Sequence, residues 1–187
     1  PALWRGKGYV LRGYAARNIG NGELAASDME KATMYASAAT FDNPKNDKAA
    51  LLKSLGHTYQ HLLNDQQKAI QAYKRAQKVG NKAKGTAATF NLAGIYLKQQ
   101  KSDKAAEAVE NWLEKVKPQD FGNAGWQGRL ASSAIRVLAD AGKKQAAIAK
   151  GNKWLANDKI KPSVKKNIKK QLAALQAEET DTNNNNK

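Results

Sequence analysis

Apolar and small residues recur along this chain at intervals of three and four, and short polar or Gly/Pro stretches divide the recurrence into runs of about 14 to 18 residues. Such spacing keeps one apolar face on a 3.6-residue period, so it predicts consecutive amphipathic helices. Nine are expected. The breaks fall at "NIGNG" (18–22), "FDNPKN" (41–46), Asn64-Asp65, "VGN" (79–81), "QQKSD" (99–103), "KPQDFGNAG" (117–125), Gly142 and "NDKIKPS" (157–163). Asp65, Ser102 and Ser163 stand where N-caps belong, because a short side-chain oxygen there satisfies an otherwise orphan backbone N–H. No run of alternating β-branched residues argues for a strand. A chain of 187 residues suits one domain with a real core. Residues 1–178 are expected to form it, as about four helix pairs and a final helix, and 179–187, ending "DTNNNNK", to be a disordered tail with nothing apolar to bury.

The runs also repeat. "LGHTYQHLLNDQQKAIQAYKRA" from Leu55 aligns with "LAGIYLKQQKSDKAAEAVENW" from Leu92. Each has a Leu, a small residue (Gly56, Ala93), a Tyr three further on (Tyr59, Tyr96), a polar turn, an Ala (Ala69, Ala105) and a bulky residue four later (Tyr73, Val109). A looser third copy has Ile135, Leu138, Gly142 and Ala147 in the corresponding slots, and an upstream fourth has Ala32.

This pattern resembles the tetratricopeptide repeat family, whose unit is two antiparallel helices with small residues where they cross. Sel1-like repeats, a relative with longer units, also fit. The resemblance covers roughly residues 25–157. It implies an all-α fold, a right-handed superhelix of antiparallel helix pairs, with Tyr59 and Tyr96 filling space over the crossings. The Ala slots are 37, 36 and 42 residues apart (Ala32, Ala69, Ala105, Ala147), longer than the family's usual 34. The turns must therefore carry insertions. Trp112 occupies a normally small slot and must fill a gap between repeats or widen their spacing. The helix from about 163 has Val164, Ile168, Leu172 and Leu175 on one face and Lys165, Lys166, Lys169 and Lys170 mostly on the others. It reads as an amphipathic cap on the last pair.

Charge sharpens the expectation of a partner. The chain has 32 basic and 16 acidic residues, and residues 143–170 hold ten lysines against Asp158 alone. A field of that sign attracts acidic protein surfaces, nucleic acid and anionic lipid without distinguishing them. No stretch of about 18 apolar residues exists to span a bilayer as a helix. With no cysteine there is neither disulfide nor thiolate chemistry. A basic, Lys/Asn/Gln-rich, cysteine-free chain numbered from Pro1 rather than Met suits a bacterial periplasmic protein, which is preferred here over a cytoplasmic one.

Motifs for catalysis are missing. His57, His61 and Asp65 make an i, i+4, i+8 stripe of the kind that holds zinc, but no H-E-x-x-H glutamate accompanies them and Asp65 is better placed as a cap. "GNKAKGT" (80–86) has phosphate-loop glycine spacing without the lysine after the second glycine, so it reads as a helix-to-helix turn. No G-x-S-x-G, paired-carboxylate or Ser/His/Asp signature appears. No enzyme, cofactor or metal is expected.

In the register implied by the resemblance, the concave face carries Lys53, His57 and His61 in one repeat, Phe90, Asn91 and Lys98 in the next, and Arg129 and Arg136 in the third. It is similar to the clamp with which some tetratricopeptide domains grip the carboxylates of acidic C-terminal peptides. Lys53 and Asn91 match that clamp, Arg129 is a like-charged substitute, and His57 and Ser133 stand where Asn and Arg are usual. The expected function is a scaffold that binds an acidic peptide or partner protein in a basic groove. The alternative is a nucleic-acid-binding helical repeat that uses the lysines of the C-terminal helices.

Overall fold

In a computed structural model of the chain, residues 2–35 and 44–184 are described, with side chains over 4–35 and 48–177. Among the described residues there are nine α-helices, one 3-10 turn and no strand. The helices are α1 (Ala2–Asn18), α2 (Gly22–Tyr35), α3 (Pro44–His61), α4 (Gln66–Val79), α5 (Lys82–Lys98), α6 (Ser102–Lys115), α7 (Ala124–Asp140), α8 (Lys144–Leu155) and α9 (Pro162–Asn184). Each expected break between described helices falls at a helix boundary. Part of the 41–46 break, and 185–187 of the expected tail, lie outside the described residues, and α9 continues into the rest of that tail as far as Asn184.

Capping explains most boundaries, with two corrections. Asp65 does cap α4, its carboxylate accepting the Lys68 N–H at 2.9 Å. Ser102 and Ser163 instead lie inside their helices. The cap of α6 is Lys101, whose N–H already returns to the Tyr96 carbonyl, and α9 starts at Pro162, whose missing N–H and fixed φ suit the first helical position. Asparagines that the sequence reading passed over do the same work: Asn21, Asn81 and Asn123 accept the N–H of Leu24, Lys84 and Trp126.

A recurrent turn marks the helix pairs. Two or three residues beyond the ends of α1, α3, α5 and α7 stands a residue with positive φ, namely Gly20, Asn64, Gln100 and Gly142. Backbone N–H groups just beyond the helix fold back onto carbonyls five or six residues earlier, as Asn21 to Ala16, Asp65 to Tyr59, Lys101 to Tyr96 and Lys143 to Leu138. The Ala slots of the following helices, Ala32, Ala69, Ala105 and Ala147, are all fully buried. The same local construction therefore occurs four times, and α1–α2 form a pair that the sequence pattern revealed only through Ala32.

The chain divides into two compact units, Pro1–Ile95 and Tyr96–Lys187. In the first, α1 packs on α2, α2 on α3 and α3 on α4. Contacts such as Arg12 with Asp28 and Tyr9 with Tyr35 show that α1 and α2 run antiparallel. The core comprises Ala26, Met29, Leu52, Leu55, Ala72, Ala76 and Ala88, with Tyr14, Tyr59, Leu63 and Val79 against it. A small residue at 56 is needed for a reason the repeat pattern stated only in part. A Cβ there would lie 2.6 Å from Cε1 of Tyr73, a ring that is itself fully buried on α4.

In the second unit, α7 contacts α6, α8, α9 and the 3-10 turn Pro118–Asp120, and α8 packs on α9. Val164, Ile168 and Leu172 of α9 are buried, and Trp112 is buried in its unusual slot. Gln127, 2% exposed, ties the loops together: its Nε2 donates to the carbonyls of Phe121 and Lys159, and its Oε1 accepts the Lys161 N–H, all at 2.9 to 3.0 Å.

Candidate anion-binding pocket

Within the first unit, Arg17, Lys53, Ser54, His57 and Asn91 line a pocket of about 300 Å³. Three helices supply it. Arg17 comes from the last turn of α1, Lys53, Ser54 and His57 from one side of α3, and Asn91 from α5. Residues 53, 54 and 57 share a helix side because successive residues turn by about 100°. Among the described residues no carboxylate lines the pocket.

The surrounding contacts fix several of these groups. The Arg17 guanidinium lies 5.7 Å from the centre of the Tyr14 ring, and the Tyr14 hydroxyl is 3.2 Å from that of buried Ser54. The Tyr73 phenol donates to Oε1 of Gln60 at 3.0 Å. Burial pushes the Tyr73 phenol up to about 12, partly offset by Asn91. Tyr73 is thus a neutral phenol near the Asn91 amide.

His57 stands at the rim. Partial burial holds its pKa below 6.5, and the positive fields of His61, Arg17 and Lys53 add to the effect. The His57 and His61 rings are 4.2 Å apart, centre to centre, and tilted by 41°. Asp65, the third member of the suspected metal stripe, has its carboxylate engaged by the Lys68 N–H and by Lys68 Nζ at 3.3 Å. Among the described residues no group of three His, Asp or Glu side chains gathers as a metal site would require. Of the 80–86 segment, Gly80 ends α4, Asn81 caps α5, and 82–86 already lie in α5.

Of the residues expected in a groove, Lys53, His57 and Asn91 meet here. His61 is exposed one turn further along α3, and Phe90, half-buried beside Asn91, does not line the pocket. Lys98, Arg129 and Arg136 belong to the second unit, where all three are exposed. Arg129 lies 5.2 Å from the centre of the Trp126 ring, at a separate, shallow pocket of about 810 Å³ that includes Ser132, Ser163 and Asn167. Arg17 and Ser54 were missed by the sequence reading. A repeat register starting near residue 25 excludes Arg17, and nothing about an arginine at a helix end marks it as a pocket residue.

Two cations, an amide and a hydroxyl, with an imidazole at the rim, can bind a carboxylate or phosphate through charge-assisted hydrogen bonds. Among the described residues no helix is long and apolar enough to cross a membrane. Neither the known protein families nor the curated proteins include a match to this chain.

Proposed function

We propose that the protein is a non-enzymatic binding scaffold, a tetratricopeptide-like right-handed superhelix closed by α9, that receives a carboxylate of an acidic or C-terminal peptide. The observation that carries this reading is the convergence of Arg17, Lys53, His57 and Asn91 from three helices on one pocket. The fourfold recurrence of the positive-φ turn and the buried Ala slot supports the repeat architecture.

Recognition would combine ion pairing from Arg17 and Lys53 with an amide hydrogen bond from Asn91, giving the carboxylate both charge and direction. The test is calorimetric titration of an acidic peptide with a free C-terminus against the same peptide amidated. The free acid should bind more tightly, and Arg17→Glu with Lys53→Glu should abolish binding while the helical circular dichroism stays the same. Unchanged binding by that double variant would remove the assignment.

A second reading has one observation in its favour. Lys165, Lys166 and Lys169 line a pocket with Leu155, Ile160 and one carboxylate, Asp158, and Lys117, Lys150 and Lys153 line another beside Trp154. Clusters of this kind suit nucleic-acid phosphates. Binding of that sort would weaken with salt, with a slope of about −0.7 to −0.9 per phosphate contact. Absence of binding to generic RNA and DNA at low salt would eliminate it.

A further inference from the structure

The large apolar side chains most exposed in the first unit include Trp4 at 73%, Leu11 at 72% and Ile19 at 80%. They lie on one face. At 100° per residue, Trp4, Gly8, Leu11, Ala15 and Ile19 fall within an arc of about 80° along α1 and the turn that ends it. All five are exposed, and a Cβ on Gly8 would meet nothing within 4 Å. The opposite face, with Gly13 and Ala16, is buried, Gly13 lying against Asp28 and Met29 of α2. α1 is therefore held from behind and presents an apolar stripe outward.

The edges of the stripe are cationic. Arg5 and Arg12 flank one side and Lys7 the other, with Lys7 Nζ 5.8 Å from the centre of the Trp4 ring. Arg12 is paired with Asp28, so Arg5 and Lys7 supply the outward charge. α1 itself carries no acidic residue. Two copies packed stripe to stripe would bring like charges together with no acid on the helix to offset them. The complement must be anionic.

We infer that this face of α1 docks on an anionic lipid surface, with Trp4, Leu11 and Ile19 entering the outer acyl layer and Arg5 and Lys7 at the headgroups. The three large side chains project singly, separated by Gly8 and Ala15. A fluid layer accepts such isolated protrusions without a shaped counterpart. The indole of Trp4 joins an apolar ring to one N–H donor, which matches the boundary between acyl chains and headgroups. An apolar stripe edged by Lys and Arg is the composition of helices that lie in the membrane plane.

The test is co-sedimentation of the full chain with vesicles of phosphatidylcholine alone and of phosphatidylcholine containing about a third phosphatidylglycerol. The expected result is binding to the anionic vesicles, reduced at least about tenfold by Trp4→Ala, Leu11→Ala and Ile19→Ala together. It should be weakened by Arg5→Gln with Lys7→Gln and retained by Lys165→Gln, Lys166→Gln and Lys169→Gln. Equal binding by the Trp4/Leu11/Ile19 variant would place the attraction on lysines elsewhere and overturn the inference. Failure to bind any vesicle would also overturn it, and if an acidic helical peptide then shielded Trp4 from a collisional quencher, the face would belong to a protein partner.

Discussion

Residues 1–95 hold 14 basic and 6 acidic side chains and residues 96–187 hold 18 and 10, so each unit carries the same net +8. The placement of that charge differs. In the first unit, cations sit at points defined by other side chains. Arg12 holds Asp28 through two hydrogen bonds, Arg75 grips Glu30, Arg17 lies over Tyr14, Lys31 over Tyr9, and Lys68 over Tyr59 beside Asp65. In the second, ten lysines follow one another through residues 143–170, and Lys143 reaches Glu110 at 3.6 Å. A cation held against an aromatic ring can present a fixed geometry to one anion. A row of lysines on helix surfaces makes a broad field that suits many anions in no particular register. Equal charge thus gives the first unit a small pocket lined by Arg17 and Lys53, and spreads most of the second unit's over the lysines of residues 143–170.

The cores differ in a parallel way, and breaking each should separate them. The largest effect is expected in the second unit. Gln127→Ala would orphan the carbonyls of Phe121 and Lys159 and the Lys161 N–H, at a cost of about 3–5 kcal/mol, measurable by urea unfolding. If the loss is under about 1 kcal/mol, water replaces the amide and the loops are not pinned by it.

Next is a glycine pair. Gly56→Ala drives a methyl into the buried Tyr73 ring and should cost about 1–3 kcal/mol. Gly151→Ala meets Leu172 Cδ2 at 2.7 Å and Cδ1 at 2.9 Å, a branched aliphatic side chain less rigid than an aromatic ring, so its loss should be smaller than that at Gly56. Equal losses would show that ring rigidity is not what distinguishes the two crossings.

Acid should then weaken the first unit through Asp28. The hydrogen bonds and charge of Arg12 hold its carboxyl below the ordinary 3.8, against the opposing effect of burial. The folded state therefore binds fewer protons than the unfolded chain around that value. The resulting stability is present above pH 3.8 and is lost as pH falls through the lower, folded value. Asp28→Asn should flatten this part of the stability–pH curve, and a curve of unchanged slope would sink the assignment.

The smallest effect concerns His57. Its lowered pKa means that the peptide-free fold loses a little stability as pH falls through about 6.5. An anion in the pocket opposes the cationic neighbours and favours protonation, so peptide binding should tighten over the same range. His57→Gln should remove both trends. Calorimetry at several pH values reads the second, and pH-independent binding by the original chain would take His57 out of the site.

Helix boundaries were legible because they are local. Asp65 caps α4 with its own side chain, and Gly142 follows α7 in a left-handed conformation that costs glycine little. Gln100 takes the same conformation with no glycine to announce it. The candidate pocket was only half legible. Lys53, His57 and Asn91 follow from the repeat register, whereas Arg17 lies on a helix that the register did not reach.

The sequence by itself determined the helices, their order and the alanines that let them pack, because a periodic apolar face and a capping side chain act over a few neighbouring residues. Tertiary structure decided which faces were covered. That Gly56 accommodates Tyr73, that Arg17 joins Lys53 and Asn91, and that Trp4 and Leu11 are left outward all depend on how α1, α3, α4 and α5 pack. A residue's own periodicity shows that it has an apolar side, but only the neighbouring helix determines whether that side is filled.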